Sequence, residues 1–331
     1  MANKTSPPEA DFAPAIPNRW LILLNPVAGN GLGKKQWPRI ERQLQDAGIS
    51  YSVQFTRHKG HATELTIDGI QKGFRQLAAV GGDGTNNEVI NGIMQQTATE
   101  PQHILYTLLS FGTGNDWVRS HPMSGQLRSF AERLQTKKTI RQDIGLVEYR
   151  AEGQTKERYF SNLAGMAYDA YLVGIIEQNK RRLSNKILYF FYLFKCIFDY
   201  SLQHARVAFN DQTVEDKFYS INVGICKYAG GGMQLAPHAI ANDGLLALTL
   251  IRKISKLGVL LNTHRLYNGT IEKHPQIELF QSGEIRVNSN DARPLQLEVD
   301  GELIGTAPAI FTVIPQSLTI VIDDVGAGSE M

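Results

Sequence analysis

Residues Ala79-Val80-Gly81-Gly82-Asp83-Gly84-Thr85-Asn86-Asn87-Glu88 close an apolar, strand-like run and open directly into a helix-like segment. Few arrangements tolerate glycine at Gly81, Gly82 and Gly84 between a strand and a helix unless something must approach the backbone there. Glycine admits positive φ and leaves room where a Cβ would collide with a ligand. The spacing predicts a helix from about Asn86 capped by Thr85, so that free N–H groups and the positive helix end face one anion. Asp83 would repel a polyphosphate unless a cation lay between them, and magnesium accepts carboxylate and phosphate oxygens together. A simple Gly-Gly-Asp-Gly turn from strand to helix is the bland alternative.

A second loop repeats the pattern. The apolar run 105–109 leads into Ser110-Phe111-Gly112-Thr113-Gly114-Asn115-Asp116-Trp117. Open α/β sheets bind ligands beyond the carboxyl ends of their strands, so two such loops from neighbouring strands converge on one crevice. A third segment, Asn25-Pro26-Val27-Ala28-Gly29-Asn30-Gly31-Leu32-Gly33-Lys34-Lys35, follows Leu21 to Leu24. It fits neither familiar phosphate signature. A Walker-type loop needs Ser or Thr after Gly-Lys, where Lys35 stands, and a longer gap between glycines. A dinucleotide fingerprint needs an acid after the second strand, where Thr56-Arg57 stand.

From Trp20 to about Gly145, strand-like and helix-like segments alternate, which predicts a parallel sheet with helices on both faces. Expected elements are strands 20–24, 51–55 and 77–80 and helices 35–47, 62–72 and 86–95. After Gly145 the runs 206–209, 219–226, 245–251, 284–287, 295–299 and 310–314 predict an antiparallel β-sandwich. Helices are expected at 168–198 and 256–267. The domain reading is a disordered lead-in over 1–18, an α/β domain over 19–145 whose glycine loops suit a phosphate ligand, and a sandwich over 146–314.

The net charge of +2 lacks the basic excess of a nucleic-acid binder. Two cysteines, Cys196 and Cys226, and eight histidines show no ligand spacing, so the reading is a reduced, cytoplasmic protein with no zinc site. No run reaches the length of about twenty apolar residues that spans a bilayer, and the N-terminus lacks a secretory core. Self-association into a homodimer is left open.

The motifs together resemble the diacylglycerol kinase catalytic domain family, which includes soluble bacterial lipid kinases and sphingosine kinases. The match runs through Asn25-Pro26, Thr56 with Gly60-His61-Ala62, Gly81 to Gly92, Gly112 to Asp116, Asp143-x-Gly145, Asn242-Asp243-Gly244 and Val299-Asp300-Gly301-Glu302. One departure is Ser110, where the family usually has proline. The resemblance implies a magnesium-dependent transfer of the ATP γ-phosphate to a hydroxyl of diacylglycerol or a sphingoid-like lipid, in a cleft between the domains. It also implies that a last strand, within 315–323, returns to the first domain.

By the same resemblance, Asn25, Thr56, Gly60, His61, Gly81, Gly82, Gly84, Thr85, Gly112, Thr113, Gly114 and Asn115 hold the nucleotide. Asp83, Asp116 and Asp143 form an acid–water–metal network, and Asp243 with Leu245 holds a structural magnesium. Asp300 is the base, supported by Glu302, with Asp83 as a further catalytic acid. Alternation along one strand would put Asp300 and Glu302 on a shared face, although a plain hairpin turn at Asp300-Gly301 reads equally from the residues.

The lipid side rests on Lys180, Arg181, Arg182 and Lys186 beside the aromatic run 187–194, which suits transient peripheral contact with an anionic membrane or a buried helix. Two rival functions stand beside the lipid kinase. NAD kinase shares the Gly-Gly-Asp-Gly loop, but Glu88-Val89-x-Asn91-Gly92 and Asp300-Gly301-Glu302 fit the lipid branch. A nucleotide- or lipid-binding sensor without catalysis is disfavoured by the full set of acids.

Overall fold

The computed structural model describes residues 14–112, 114–179 and 195–324. The basic start and aromatic run at 180–194, most of the lead-in, and Thr113 lie outside the described residues. The alternating half comprises β1 Trp20–Leu24, α1 Ala28–Asp46, β2 Tyr51–Phe55, α2 His61–Gln71, β3 Gln76–Gly81, α3 Asp83–Gln95 and β4 Leu105–Ser110. These four strands are parallel, in the order β2-β1-β3-β4. In β1, Leu21 and Leu23 enter one core cluster while Trp20, Ile22 and Leu24 enter another on the opposite face. Burial on both faces explains why the strand is an unbroken apolar run rather than an alternating one.

There follow α4 Asp116–Arg119, α5 Leu127–Thr136, β5 Thr139–Ala151, β6 Gln154–Phe160, β7 Leu163–Ala167 and α6 Tyr168–Asn179. The remainder is β8 Gln203–Phe209, β9 Gln212–Phe218, β10 Ser220–Gly224, β11 Tyr228–Ala229, β12 Met233–Gln234, β13 Leu246–Ile251, α7 Lys256–Asn262, α8 His264–Tyr267, β14 Ile277–Ser282, β15 Glu284–Ser289, β16 Gln296–Val299 and β17 Glu302–Val321. Pairing here is antiparallel throughout, through β14-β13-β10-β7-β16-β17 and through β9-β8-β15-β17. In β8 the burial alternates residue by residue, as a strand with one solvated face requires.

Several expected elements are corrected. Helix α3 begins at Asp83 and its cap is Gly82, with no side-chain cap bond. Thr85 lies inside the first turn and so cannot cap; its hydroxyl oxygen instead accepts from Asn25 Nδ2 at 3.0 Å. Helix α1 starts at Ala28 but carries left-handed backbone at Gly29, Asn30 and Gly31. The helix expected at 256–267 is divided at Thr263 into α7 and α8.

The last strand is the end of one 20-residue element, β17. It starts at Glu302, pairs with β16 and β15 as far as Thr312, and then runs parallel to β4 at Thr319 and Ile320, joining both halves into one 15-stranded sheet.

Candidate active site

The carboxyl ends of β1, β2, β3 and β4 point at the hairpin between β16 and β17. Between them lies a cleft of about 880 Å³ lined by Asn25, Thr56, Gly82, Asp83, Gly84, Thr85, Gly112, Gly114, Asp116, Asp300 and Glu302, among others. Gly60, His61, Gly81, Asn115, Asp143, Asp243 and Leu245 are absent from that lining.

Two glycines are required by close approach. A Cβ on Gly82 would lie 3.1 Å from Gly112 Cα, and one on Gly114 would lie 2.9 Å from Asp116 Oδ2 and 3.1 Å from Asp83 Oδ2. The two loops therefore touch backbone to backbone, as a shared phosphate cradle demands. Asn25 holds the floor of that cradle through Thr85 and through its Oδ1, which accepts from Val27 N at 3.1 Å. Asn115 N donates to Asp83 Oδ2 at 2.9 Å, and the Ser110 hydroxyl donates to Asn115 Oδ1. Ser110 thus orders the loop through its hydroxyl.

Gly60 and His61 act from behind. Gly60 N and Ala62 N donate to Glu88 at 2.7 and 3.0 Å, so α3 caps α2 with a carboxylate, a favourable charge at a helix start. His61 Nδ1 accepts from Arg57 N at 3.0 Å and its ring stacks on His58 at 4.6 Å. His58, His61 and Glu64 bring ligand-type atoms within 4.8 Å of one another, a grouping the sequence did not suggest. Because Nδ1 of His61 is an acceptor, its Nε2 carries the proton, which leaves no free lone pair for a metal.

The acids have separate fates. Asp83 Oδ1 is buried without a hydrogen-bond partner, and burial, then the nearby Asp116, pushes its carboxyl up to about 6. An orphaned carboxylate oxygen beside a second carboxylate is the setting in which a hard divalent cation fits. Asp116 is buried and accepts from Gly231 N at 2.8 Å and Gly232 N at 2.7 Å, so it also fixes the triple-glycine turn of the sandwich.

Asp143 is fully buried and accepts from Gly244 N at 2.7 Å and Gln316 N at 2.6 Å. It is placed as a backbone tether, apart from Asp83 and Asp116. The expectation of three acids in one crevice is corrected accordingly: β5 turns Asp143 toward the loop after Asp243 rather than into the cleft. Asp243 is exposed and accepts from Leu245 N at 3.0 Å and Gln281 Nε2 at 3.0 Å.

Asp300 sits at the hairpin turn, not within a strand. Its φ is +48° and that of Gly301 is +83°, the paired left-handed conformation of a tight two-residue hairpin. The turn therefore replaces strand alternation as the reason Asp300 and Glu302 both line the cleft. Asp300 Oδ1 accepts from Asn162 N at 3.1 Å and Leu163 N at 3.0 Å, and Oδ2 from Ser161 N at 3.1 Å and Asn87 Nδ2 at 2.7 Å. Burial lifts its carboxyl above the usual range, against the pull of those donors.

Glu302 lies 3.4 Å from both Lys59 Nζ and Arg158 Nη2. Asn87 and Arg158 were missed from sequence. Asn87 is the buried centre of this group, bonded to Asp300, Arg158 and Asn91, and its only sequence signal was membership of the glycine-led helix.

Beyond the polar floor, the cleft continues into an apolar half of Leu163, Leu172, Val173, Ile176, Met233 and Leu235. Asp169 and Glu298 lie where the halves meet, and burial pushes Asp169 up to about 6 and Glu298 well above the ordinary range. None of the described helices is long and apolar enough to cross a membrane.

Residues 19–147 match the diacylglycerol kinase catalytic domain, and residues 164–322 match the YegS C-terminal NAD kinase beta sandwich-like domain. The chain thus carries a diacylglycerol kinase catalytic domain followed by a YegS-type sandwich domain.

A diacylglycerol kinase of Staphylococcus saprophyticus is 26% identical over 301 residues, covering 90% of this chain and 93% of that one. One from Staphylococcus carnosus is 25% identical over 304 residues, with 90% and 93% covered. A solved diacylglycerol kinase from Bacillus anthracis strain Sterne shares the fold at 17% identity with a TM-score of 0.68, covering 96% of this chain and 99% of that one. Another solved chain from that strain gives a TM-score of 0.75 at 18% identity, with 98% and 99% covered. The domain and the named relatives make the protein a kinase.

Proposed function

We propose that this kinase moves the ATP γ-phosphate to the hydroxyl of diacylglycerol or a sphingoid-like lipid, with magnesium, in the cleft beneath the β16–β17 hairpin. The observation that carries the reading is the position of Asp300, buried by four donors at the meeting point of the glycine loops and the apolar channel. Phosphoryl transfer asks chiefly for positioning and charge neutralisation, and the residues divide along those lines. Backbone N–H groups at the start of α3 and along the Gly112–Gly114 loop face the phosphates. Asp83 and Asp116 would hold magnesium, which when bound neutralises charge between the phosphates and these carboxylates.

Asp300 orients the acceptor hydroxyl and takes its proton as the new O–P bond forms and the bond from the γ-phosphorus to the β-bridging oxygen breaks. A base near its substrate gains from a raised pKa, which burial supplies. Glu302, held by Lys59 and Arg158, keeps the hairpin in place. The support for Asp243 and Leu245 as a structural magnesium site is their shared exposed turn, whose Asp243 oxygens already take two bonds. Asp143 is assigned to the fold rather than to the metal.

The test is transfer of labelled phosphate from ATP to a total lipid extract, with product identification, for the wild type and Asp300→Asn. The variant should lose at least a thousandfold in turnover while keeping nucleotide affinity. Undiminished turnover in Asp300→Asn, or labelling of NAD in place of lipid, overturns the reading.

A further inference from the structure

Four of the large apolar side chains left open to solvent gather on one region: Leu257 is 64% exposed, Leu261 65%, Tyr267 55% and Phe198 51%. Leu257 and Leu261 are four apart on α7 and share its outward face, and Lys253, just before the helix, and His264, just after it, are exposed. Lys256 Nζ donates to Phe198 O, which fixes the 195–199 helical segment against α7. Lys253, Lys256, Arg265 and Lys273 lie on or beside this face, and Glu272 is the one acid between residues 253 and 273.

The inner side is anchored. Val259 and Leu266 pack on the main core, and Leu266 also packs on the cluster of Leu163, Leu235 and Ala236. Leu163, Leu235 and Met233 line the apolar half of the cleft, and α8 lies against β12. The exposed face is therefore one layer of side chains away from the lipid channel.

We propose that the outward face of α7 and α8, with Phe198, docks on an anionic bilayer and places the mouth of the channel at the lipid surface. The inference rests on the lipid-kinase reading for its purpose, but its geometry stands apart from the catalytic residues. Apolar side chains flanked by lysines are the composition that enters the headgroup boundary, the basic residues being drawn to an anionic surface. A second copy of the chain fits poorly, because a two-fold contact would set this basic face against itself.

The experiment is co-sedimentation of the full-length chain with phosphatidylcholine vesicles and with vesicles containing phosphatidylglycerol. The wild type should bind the anionic vesicles, Leu257→Ser/Leu261→Ser and Lys253→Glu should each bind at least tenfold less, and neutral vesicles should bind little. Turnover of a short-chain diacylglycerol dispersed as monomers should stay at the wild-type level in these variants. Loss of that turnover in the wild type would sink the kinase reading while leaving the vesicle result to stand alone.

Vesicle binding that is unchanged in both variants, or equal on neutral vesicles, overturns the proposal. So does a dimer that Leu261→Ser dissociates without loss of vesicle binding. As a measurement independent of folding effects, Leu261→Trp should show a blue-shifted emission on adding anionic vesicles, and an unshifted emission counts against the docking face.

Discussion

The amide of Asn87 donates to Asp300 Oδ2 at 2.7 Å, joining the first turns of α3 to a hairpin 213 residues away. This one bond ties the helix that follows the Gly81–Gly84 loop to the buried carboxylate of the β16–β17 hairpin across the cleft. Asn87 Oδ1 is used as well, accepting from Arg158 and Asn91, so the amide cannot turn without losing partners at both ends.

Asn87→Ala should lower kcat with little change in ATP KM. Loss of a hydrogen bond to a charged group is worth about 1.5–3 kcal/mol, which corresponds to a drop of roughly ten- to a hundredfold. Steady-state kinetics at saturating lipid provide the check, and a change confined to KM would show that Asn87 does not position the base.

Asp116→Asn keeps the shape but sets an NH₂ group against one of the N–H groups of Gly231 and Gly232. The unpaired donor should cost about 1–3 kcal/mol. Amide exchange across 229–234 should accelerate, and a protection pattern equal to the wild type would show that the triple-glycine turn is held by other means.

Asp143→Ala leaves the N–H groups of Gly244 and Gln316 without their acceptor. A fall in Tm is expected, with the magnesium concentration for half-maximal turnover unchanged. A shift in that concentration with Tm preserved would make Asp143 a ligand after all.

Asp169 should make stability pH-dependent in a defined direction. Burial pushes its carboxyl up to about 6, against about 3.9 in an unfolded chain. The folded state holds the proton more tightly across that window, so stability falls as pH rises through it. At pH 8 the buried charge costs about 2 to 3 kcal/mol, and Glu298 beside it, also pushed up by burial, acts in the same sense.

Asp169→Asn should therefore raise Tm at pH 8 and have little effect near pH 4. Ser220, whose hydroxyl donates to Asp169, can still donate to the amide oxygen. Melting curves across this range give the answer, and a Tm difference independent of pH would count against a titrating Asp169.

Much of the parallel half was legible because its signals are local. The run Leu21 to Leu24 reads as a doubly buried strand, and Gly81-Gly82-Asp83-Gly84 reads as a strand-to-helix loop. The start of α3 was misplaced because Thr85 looks like a cap, whereas the helix begins two residues earlier at Asp83 and the Thr85 hydroxyl meets Asn25, sixty residues before it. Asp143 looked like Asp83 and Asp116, each an acid beside a strand. Only the path of β5 shows that its carboxylate meets the backbone of Gly244 and Gln316.

By itself the sequence determined the chemistry each loop can offer: glycine where backbone must approach closely, acids where a cation or a proton must be held, apolar runs where strands are covered on both faces. The tertiary structure alone decided which of these meet. Strand order and the 20-residue span of β17 bring Asp300 beneath α3 and carry Asp143 away from it, because a carboxylate's partners are fixed by long-range pairing that local periodicity does not encode.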